Sequence, residues 1–375
     1  MSDERLVVSG KSDRLASVLD WDWGTAYEMV LSLRTLFHPK QYGLPAPWAA
    51  GVRKRISAQA QRELKDFYNP PFAFIAYAPF HLILEMQGPK NSTAFLDFVE
   101  AIPDQDFSRR MFWPRFGEPA FYEITARALA GEGTSEADIE DYRRAMEGSR
   151  FALLPTATEV RRLFADMAEP ATTKKRWLRA MREYHTEFFA EEEVREAPAL
   201  EKMLAQAQAL ATTVSVPDLI EQLSNGFTIS RDMELKRLVL VPSIWHHPFV
   251  VNQELDEHEV LLIWGAHPAG FKLVPGESVP SDAMLVLRAL NDPTRLRLLR
   301  LIASEPRSLI SLAHEVKLSL PTVSHHIREL RGAGLIRLEV AGKGRESNYT
   351  VRWSSAQNAF DDLERFVRPE SKRHK

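Results

Sequence analysis

A run of short polar and basic side chains falls between residues 319 and 331. If this run is helical, Val323, Ile327 and Leu330 recur at i, i+4 and i+7 and face a core, which turns the other residues outward. The outward groups are hydroxyls, an imidazole and guanidinium groups, which hydrogen-bond to base edges and phosphates. A merely solvated helix face has the same composition, so the neighbouring elements must decide. The candidate residues are Ser319, Pro321, Thr322, Ser324, His325 and Arg328, and Arg331 also faces outward.

A basic, glycine-rich stretch follows at residues 341–345. It lies between two strand-like runs, Leu335 to Leu338 and Asn348 to Trp353, which predict a hairpin with this stretch at its tip. Lys343 and Arg345 would there reach the phosphate backbone or a minor groove, where positive charge is favoured. The alternative is a hairpin whose charges serve only solubility.

Three helix starts position the polar run. Asp292 followed by Pro293 predicts an N-cap with proline at the first helical position. Ser308 and Ser319 predict the N-caps of two further helices, separated by a short break at Lys317. Two helices joined by such a tight turn form a helix-turn-helix, whose second helix would carry the candidate residues.

Residues 287–353 resemble the arsenic-repressor (ArsR) family of bacterial winged-helix regulators. The resemblance rests on DPTR at 292–295, LPTVSHHIREL at 320–330 and GAGLI at 332–336, and it covers about a fifth of the chain. It implies a winged helix-turn-helix that binds a double-stranded DNA operator. It also implies that Pro321, Thr322, Ser324, His325 and Arg328 are candidates for contacts to bases and phosphates.

The same resemblance implies a homodimer that usually represses and leaves DNA when a ligand binds. In such a dimer the first and last helices form the interface, and the stripe of Phe360, Leu363 and Val367 within 355–368 suits a last helix. Two departures stand out. Lys317 occupies a turn position where many relatives have glycine, and the metal-sensing cysteine and histidine positions of the family are not matched here.

Composition and charge bound the remaining possibilities. A chain of 375 residues exceeds one ordinary core, and prolines and glycine between 268 and 280 suggest a linker, so we expect domains at 1–278 and 279–375. From residue 281 onward 17 Lys and Arg stand against 11 Asp and Glu, whereas the preceding part has 31 against 40. The basic excess at the end suits a nucleic-acid partner.

Features that the sequence lacks exclude some kinds of site and indicate a cellular location. It has no cysteine, which excludes disulfides and thiolate chemistry. It shows no long apolar run and no signal peptide, so we expect a cytoplasmic protein with no membrane contact.

The first part of the chain reads as mostly helical. A helix is expected over 92–102 with Ser92 as N-cap, and a core-facing stripe at Trp177, Met181, Tyr184 and Phe188, followed by a solvated acidic run at 191–193. The β-branched and apolar residues of segments 237–241 and 260–264 predict a small hairpin or two edge strands. The expected fold class is therefore mainly α: a large helical N-terminal domain with a small β hairpin, then an α+β winged helix-turn-helix.

Other functions have weaker support. The cluster His246, His247, His258 and His267 is the best metal candidate, although neighbouring histidines on a strand point to opposite faces. No phosphate-binding glycine loop, GxSxG, HExxH or dinucleotide motif occurs, so we expect no catalytic residues, no metal and no cofactor. The expected function is a DNA-binding regulator, open to control by a small-molecule effector. The alternative is an interaction or ligand-binding module that uses its winged helix to dimerise.

Overall fold

The computed structural model describes most of the chain. The described residues are 14–68, 73–113, 119–132, 134–147, 155–224, 226–230, 233–256, 258–268, 271–274, 281–340 and 347–353, with 357, 360, 361, 364 and 366–368 beyond them. Among these residues no helix is both long and apolar enough to cross a membrane.

The part before residue 230 is predominantly helical, as its periodicity predicted. Its helices are α1 Thr25–Phe37, α2 Ala46–Arg53, α3 Ala58–Tyr68, α4 Ala73–Glu85, α5 Ser92–Ala101, α6 Asp104–Phe112, α7 Pro119–Leu129, α8 Glu136–Glu147, α9 Ala157–Ala168, α10 Pro170–Tyr184, α11 Ala190–Ala211 and α12 Val216–Leu223. A 3₁₀ turn at Arg14–Val18, another at Pro39–Tyr42 and a π turn at His185–Phe189 complete the helical elements described there.

The predicted core stripe, which runs along α10 into the following π turn, is confirmed. Trp177, Met181, Tyr184 and Phe188 are all buried, and they join one large apolar cluster with residues of α1, α4 and α5. The N-cap of α5 is Asn91 rather than Ser92. The Asn91 side chain accepts from the Ala94 amide at 2.8 Å, and Ser92 is the first helical residue.

The acidic run at 191–193 is not a solvated face, and that prediction was wrong for two of its three members. Glu192 and Glu193 are largely buried. Glu193 accepts from the Ser92 amide at 2.8 Å and from Thr25 Oγ1, and it lies 3.3 Å from His185 Nε2. Burial acts to raise the pKa of Glu193, but these hydrogen bonds outweigh it and lower the pKa to about 2. The carboxylate thus ties α11 to the N-termini of α1 and α5.

A mixed four-stranded sheet follows the helices. Its strands are β1 Leu19–Trp21, β3 Arg237–Ser243, β4 Val250–Asp256 and β5 Glu259–Gly265, in the order β1-β3-β5-β4. The predicted pairing of 237–241 with 260–264 as a hairpin was wrong, because β3 and β5 pair in parallel and lie in the sheet interior. The hairpin is formed instead by β4 and β5. Both central strands are continuous buried runs, which is typical of parallel strands covered on both faces.

The C-terminal part has the elements of a winged helix-turn-helix. They are α13 Ser281–Leu290, α14 Pro293–Ser304, α15 Leu309–Val316, α16 Leu320–Gly332, β6 Ile336–Val340 and β7 Asn348–Val351. Together with the preceding helices they give a mainly α architecture with an α+β C-terminal part, as predicted. The helix starts are also as predicted. The side chains of Asp292, Ser308 and Ser319 accept from backbone amides three residues on.

A strand from the first part of the chain joins the sheet of the C-terminal part. This strand is β2, Phe227–Ile229, and it pairs in parallel with β6 in a sheet ordered β2-β6-β7. The Leu338 amide donates to the Gly226 carbonyl at 2.8 Å, and the Ser230 amide donates to Val340 at 3.1 Å. Leu338 and Val340 pack against a cluster that includes α12 residues. The two parts therefore share backbone hydrogen bonds as well as side-chain contacts.

A second contact lies at the C-terminal end of α16. A β-carbon placed on Gly332 would come within 3.0 Å of Phe249 Cζ, so glycine permits the close approach of this ring. Phe249 also contacts Tyr42 edge-on, with ring centroids 5.3 Å apart, and His246 at 6.2 Å. Burial lowers the pKa of His246 from 6.5 to about 3, and the charges of Arg34 and Arg331 act in the same direction.

Replacement of His246 by glutamine should change how stability depends on pH. Between pH 6.5 and about 3 the unfolded chain binds a proton at His246 that the folded chain does not, so the free energy of unfolding falls as pH falls through this range. The slope from this one group is at most about 1.4 kcal/mol per pH unit. Urea unfolding at pH 7.5, 6.5, 5.5 and 4.5 should show that His246→Gln removes this component. Parallel pH profiles for parent and variant would contradict it.

The turn between α15 and α16 carries a backbone penalty. Lys317 has φ 56° and ψ 43°, the left-handed conformation that costs a side-chain-bearing residue about 1 to 2 kcal/mol. Lys317→Gly should raise the free energy of unfolding by about 0.5 to 1 kcal/mol after allowing for the greater chain entropy of glycine. Lys317→Ala keeps the β-carbon and should give no gain in urea unfolding. An equal gain from alanine would show that the backbone is not the cause.

Candidate nucleic-acid interface

The turn and the second helix hold the predicted polar face in a defined geometry. The Lys317 and Leu318 amides donate to carbonyls at the end of α15, and the chain then enters α16 at Ser319. Val323, Ile327 and Leu330 are at most 2% exposed and lie in the C-terminal apolar cluster with residues of α14 and α15. The helical period therefore fixes which α16 residues face outward.

The exposure of the predicted residues follows this period. Pro321, Thr322 and His325 are exposed, whereas Ser324 and Arg328 are intermediate. Ser319 is exposed, but its hydroxyl accepts from the Thr322 amide at 3.4 Å and lies 2.8 Å from Thr322 Oγ1. Ser319 thus begins the helix and also holds the Thr322 hydroxyl at the N-terminal end of the outward face.

His326 lies beside this face rather than on it. Its Nδ1 lies 3.9 Å from Asp292 Oδ1 at the start of α14, and burial is the main effect that lowers its pKa. The amide of Arg295, which donates to Asp292, is the main cause of the lowered pKa of that carboxyl. His325, by contrast, is exposed and available to an external partner.

The hairpin after α16 is present. Strands β6 and β7 pair antiparallel with Ile336 opposite Val351 and Leu338 opposite Tyr349, and Arg307 bridges to Tyr349 on the far edge. Its tip, with Lys343 and Arg345, lies outside the described residues. The structure therefore describes the paired strands at the base of the wing, β6 and β7, but not the positions of the Lys343 and Arg345 side chains.

The surroundings of the C-terminal end of α16 were not foreseen from the sequence. Arg331, predicted to face outward, is half-buried, and burial lowers its pKa. Arg288 of α13 donates both to the Lys40 carbonyl and to Glu329 of α16, which links α16 to the 3₁₀ turn 39–42. The only feature of the sequence that could have indicated these contacts is Gly332, a glycine at the end of a helix.

The four histidines proposed as a metal candidate do not converge. The His247 and His267 rings lie with centroids 4.2 Å apart and are tilted by 40°, but His246 is buried against Tyr42 and Phe249. His258 lies at the opposite end of the sheet, where its Nδ1 is 3.2 Å from the Glu234 carbonyl. Within the described part of the chain, no group of three or more His, Asp or Glu side chains is arranged to hold a metal ion.

Comparison with known proteins finds a family match for the helix-turn-helix region. The model of bacterial regulatory proteins of the arsR family matches residues 292–337. Two curated proteins of Methanocaldococcus jannaschii, the uncharacterised HTH-type transcriptional regulators MJ0229 and MJ1325, are 32% identical over 63 residues and 34% identical over 58 residues. These alignments cover 17% and 15% of this chain, and 66% and 65% of the relatives. The chain thus spans slightly less than two thirds of the length of each relative.

Among solved structures, NolR from Sinorhizobium fredii matches 23% of this chain and 84% of its own, at 24% identity and a TM-score of 0.19. That score is too low to support an inference. The family match covers α14, α15, α16 and the start of β6, the elements whose caps and packing are described above. Residues 292–337 of this chain are therefore similar to the helix-turn-helix of arsR-family regulatory proteins.

Proposed function

We propose that the protein is a transcription regulator that binds double-stranded DNA through α16. The observation that carries the proposal is the exposed face of Pro321, Thr322 and His325, held opposite the buried face of Val323 and Ile327. A helix of this kind in a helix-turn-helix enters the major groove with its N-terminal residues against the base edges. The names of the two curated relatives agree with this role.

The side chains divide by chemistry into base and phosphate contacts. His325 offers an imidazole donor or acceptor to a base edge, and Thr322 and Ser324 offer hydroxyls. Arg328 suits guanine or a phosphate, and Pro321 gives apolar contact. Ser319 positions the helix start. Lys343 and Arg345, placed by sequence at the wing tip, suit the backbone or the minor groove.

The protein acts in this proposal as a homodimer. Apolar side chains of the last helical segment and of α13 are exposed, as a partner surface requires: Trp353, Phe360, Phe366, Val367, Met284 and Leu287. Leu363, the middle member of the predicted stripe, lies outside the described residues. Such a dimer spaces its recognition helices by about 34 Å, one turn of B-DNA, or by a multiple of it.

We further propose that residues 1–278 sense a signal and that residues 279–375 read DNA, with repression as the outcome. Two open cavities in the first part have the size of small-molecule sites. One of about 620 Å³ has Phe67, Ile75 and Phe112 beside charged side chains, and one of about 680 Å³ has Trp23, Lys90 and Glu193 in its wall. No catalytic role and no cofactor enter the proposal.

Substitutions on the helix and on the wing should have different effects on DNA binding. His325→Ala should reduce discrimination between base pairs by about 1 to 3 kcal/mol at one position of each half-site. Arg345→Ala should weaken all sequences alike and reduce the slope of log affinity against log salt by about one. Fluorescence anisotropy with the upstream DNA of its own coding region and with a scrambled duplex measures both. If both variants bind DNA with the affinity, specificity and salt dependence of the parent, the assignment of α16 and the wing to DNA contacts is wrong. If the parent binds no DNA, the result favours the alternative in which the winged helix serves only for dimerisation.

Disruption of the exposed apolar segment should separate the protomers. Phe360→Asp places a charge where a partner would bury a ring, so we expect a monomer in sedimentation velocity and a loss of DNA affinity of about 100-fold or more. Asp361→Ala changes an exposed neighbour and serves as the control. A Phe360→Asp protein that remains dimeric would place the interface elsewhere.

A further inference from the structure

The outward face of α16 ends against the first part of the chain. Pro321, His325, Arg328 and Gly332 are spaced at i, i+4, i+7 and i+11 and so lie along one face of the helix. At Gly332 this face meets the Phe249 ring and Pro248. The face proposed to read bases is therefore continuous with a surface formed by residues far earlier in the sequence.

The 3₁₀ turn Pro39–Tyr42 borders the same end of α16. Arg288 donates to the carbonyl of Lys40 and to Glu329, and Tyr42 packs against Phe249. Lys40 itself is exposed, and no acidic partner for it occurs among the residues that the structure describes. The backbone of Lys40 is thus held next to the end of α16, and its side chain is exposed there.

The charge around this turn is opposite to that of its domain. The segment from Met29 to Arg62 contains six Lys and Arg and no Asp or Glu, although the first 280 residues carry an acidic excess. Arg53 donates to the carbonyl of Leu36 near the end of α1, and the exposed Lys54 is its neighbour in sequence. A local positive excess of this kind attracts a polyanion.

The dimensions of B-DNA match this arrangement. Gly332 lies seven residues beyond His325, which is about 10 Å along an α-helix. The major groove is about 12 Å wide and is bordered by the phosphate backbone. If His325 is placed on a base edge, the end of α16 and the turn 39–42 come to the phosphates at the border of the groove.

We propose that Lys40, supported by Lys54, contacts the phosphate backbone of the DNA beside the groove that α16 occupies. This second DNA contact comes from the N-terminal part of the chain and rests on the proposed function. Because it addresses phosphates only, it adds affinity and orientation without reading sequence.

The test compares salt dependence in the full-length protein. Anisotropy titrations from 50 to 200 mM salt would use the parent, Lys40→Ala, the double variant Lys40→Ala with Lys54→Ala, and the control Lys236→Ala. Lys236 is an exposed lysine that precedes β3, at the end of that strand remote from His246 and Phe249. Circular dichroism melting confirms that the variants fold.

Lys40→Ala should reduce the slope of log affinity against log salt by about 0.9, and the double variant by up to twice that. The advantage of the parent over Lys40→Ala then shrinks about threefold between 50 and 200 mM salt, equally for specific and scrambled duplexes. Lys236→Ala should match the parent. A parental slope for Lys40→Ala, or tighter binding by it, overturns this inference while the proposed function stands. Failure of the parent to bind DNA overturns both.

Discussion

The parallel pairing of β2 with β6 is the constraint on which the placement of the DNA-reading elements depends. Backbone hydrogen bonds fix register, so a three-residue strand is enough to determine how β6 and the wing lie against the helical part. The contact of Gly332 with Phe249 adds a second fixed point at the end of α16. With two points held, the recognition helix cannot turn about the linker while these contacts persist.

The two fixed points also connect α16 to the interior of the first part. Phe249 follows a turn whose Ile244 and Trp245 amides donate to the buried carboxylate of Glu28 on α1. A rearrangement of α1 would therefore reach Phe249 through backbone groups rather than through exposed side chains. Helix α1 is therefore connected to the end of α16 through a short series of packed residues.

Local features of the C-terminal part were predictable because their causes lie within a few residues. The caps at Asp292, Ser308 and Ser319 each depend on a side chain and an amide three residues later. The left-handed backbone at Lys317 agrees with the resemblance, in which many relatives have glycine at this turn position. The outward face of α16 follows from its period, which is why the predicted exposure of Pro321, Thr322 and His325 agrees with the structure.

Features that depend on distant partners were not predictable in this way. The apolar runs of β3 and β5 suit either a hairpin or a parallel pair, and the intervening β4 decides between them. Glu193 looks like a surface residue until Thr25 and Ser92, about 100 or more positions earlier, are brought to it. Arg331 follows the outward period but lies where the helical part covers the end of α16.

The sharing of one sheet has a consequence for dissection of the molecule. A fragment that starts after the linker would lack Phe227 to Ile229 and leave the β2-facing edge of β6 without its hydrogen-bond partner. Free strand edges pair with other chains. Truncation before the linker would therefore expose an aggregation-prone edge of β6 that β2 covers in the full chain. This edge of β6 is therefore covered by three residues that precede the strand by more than 100 positions.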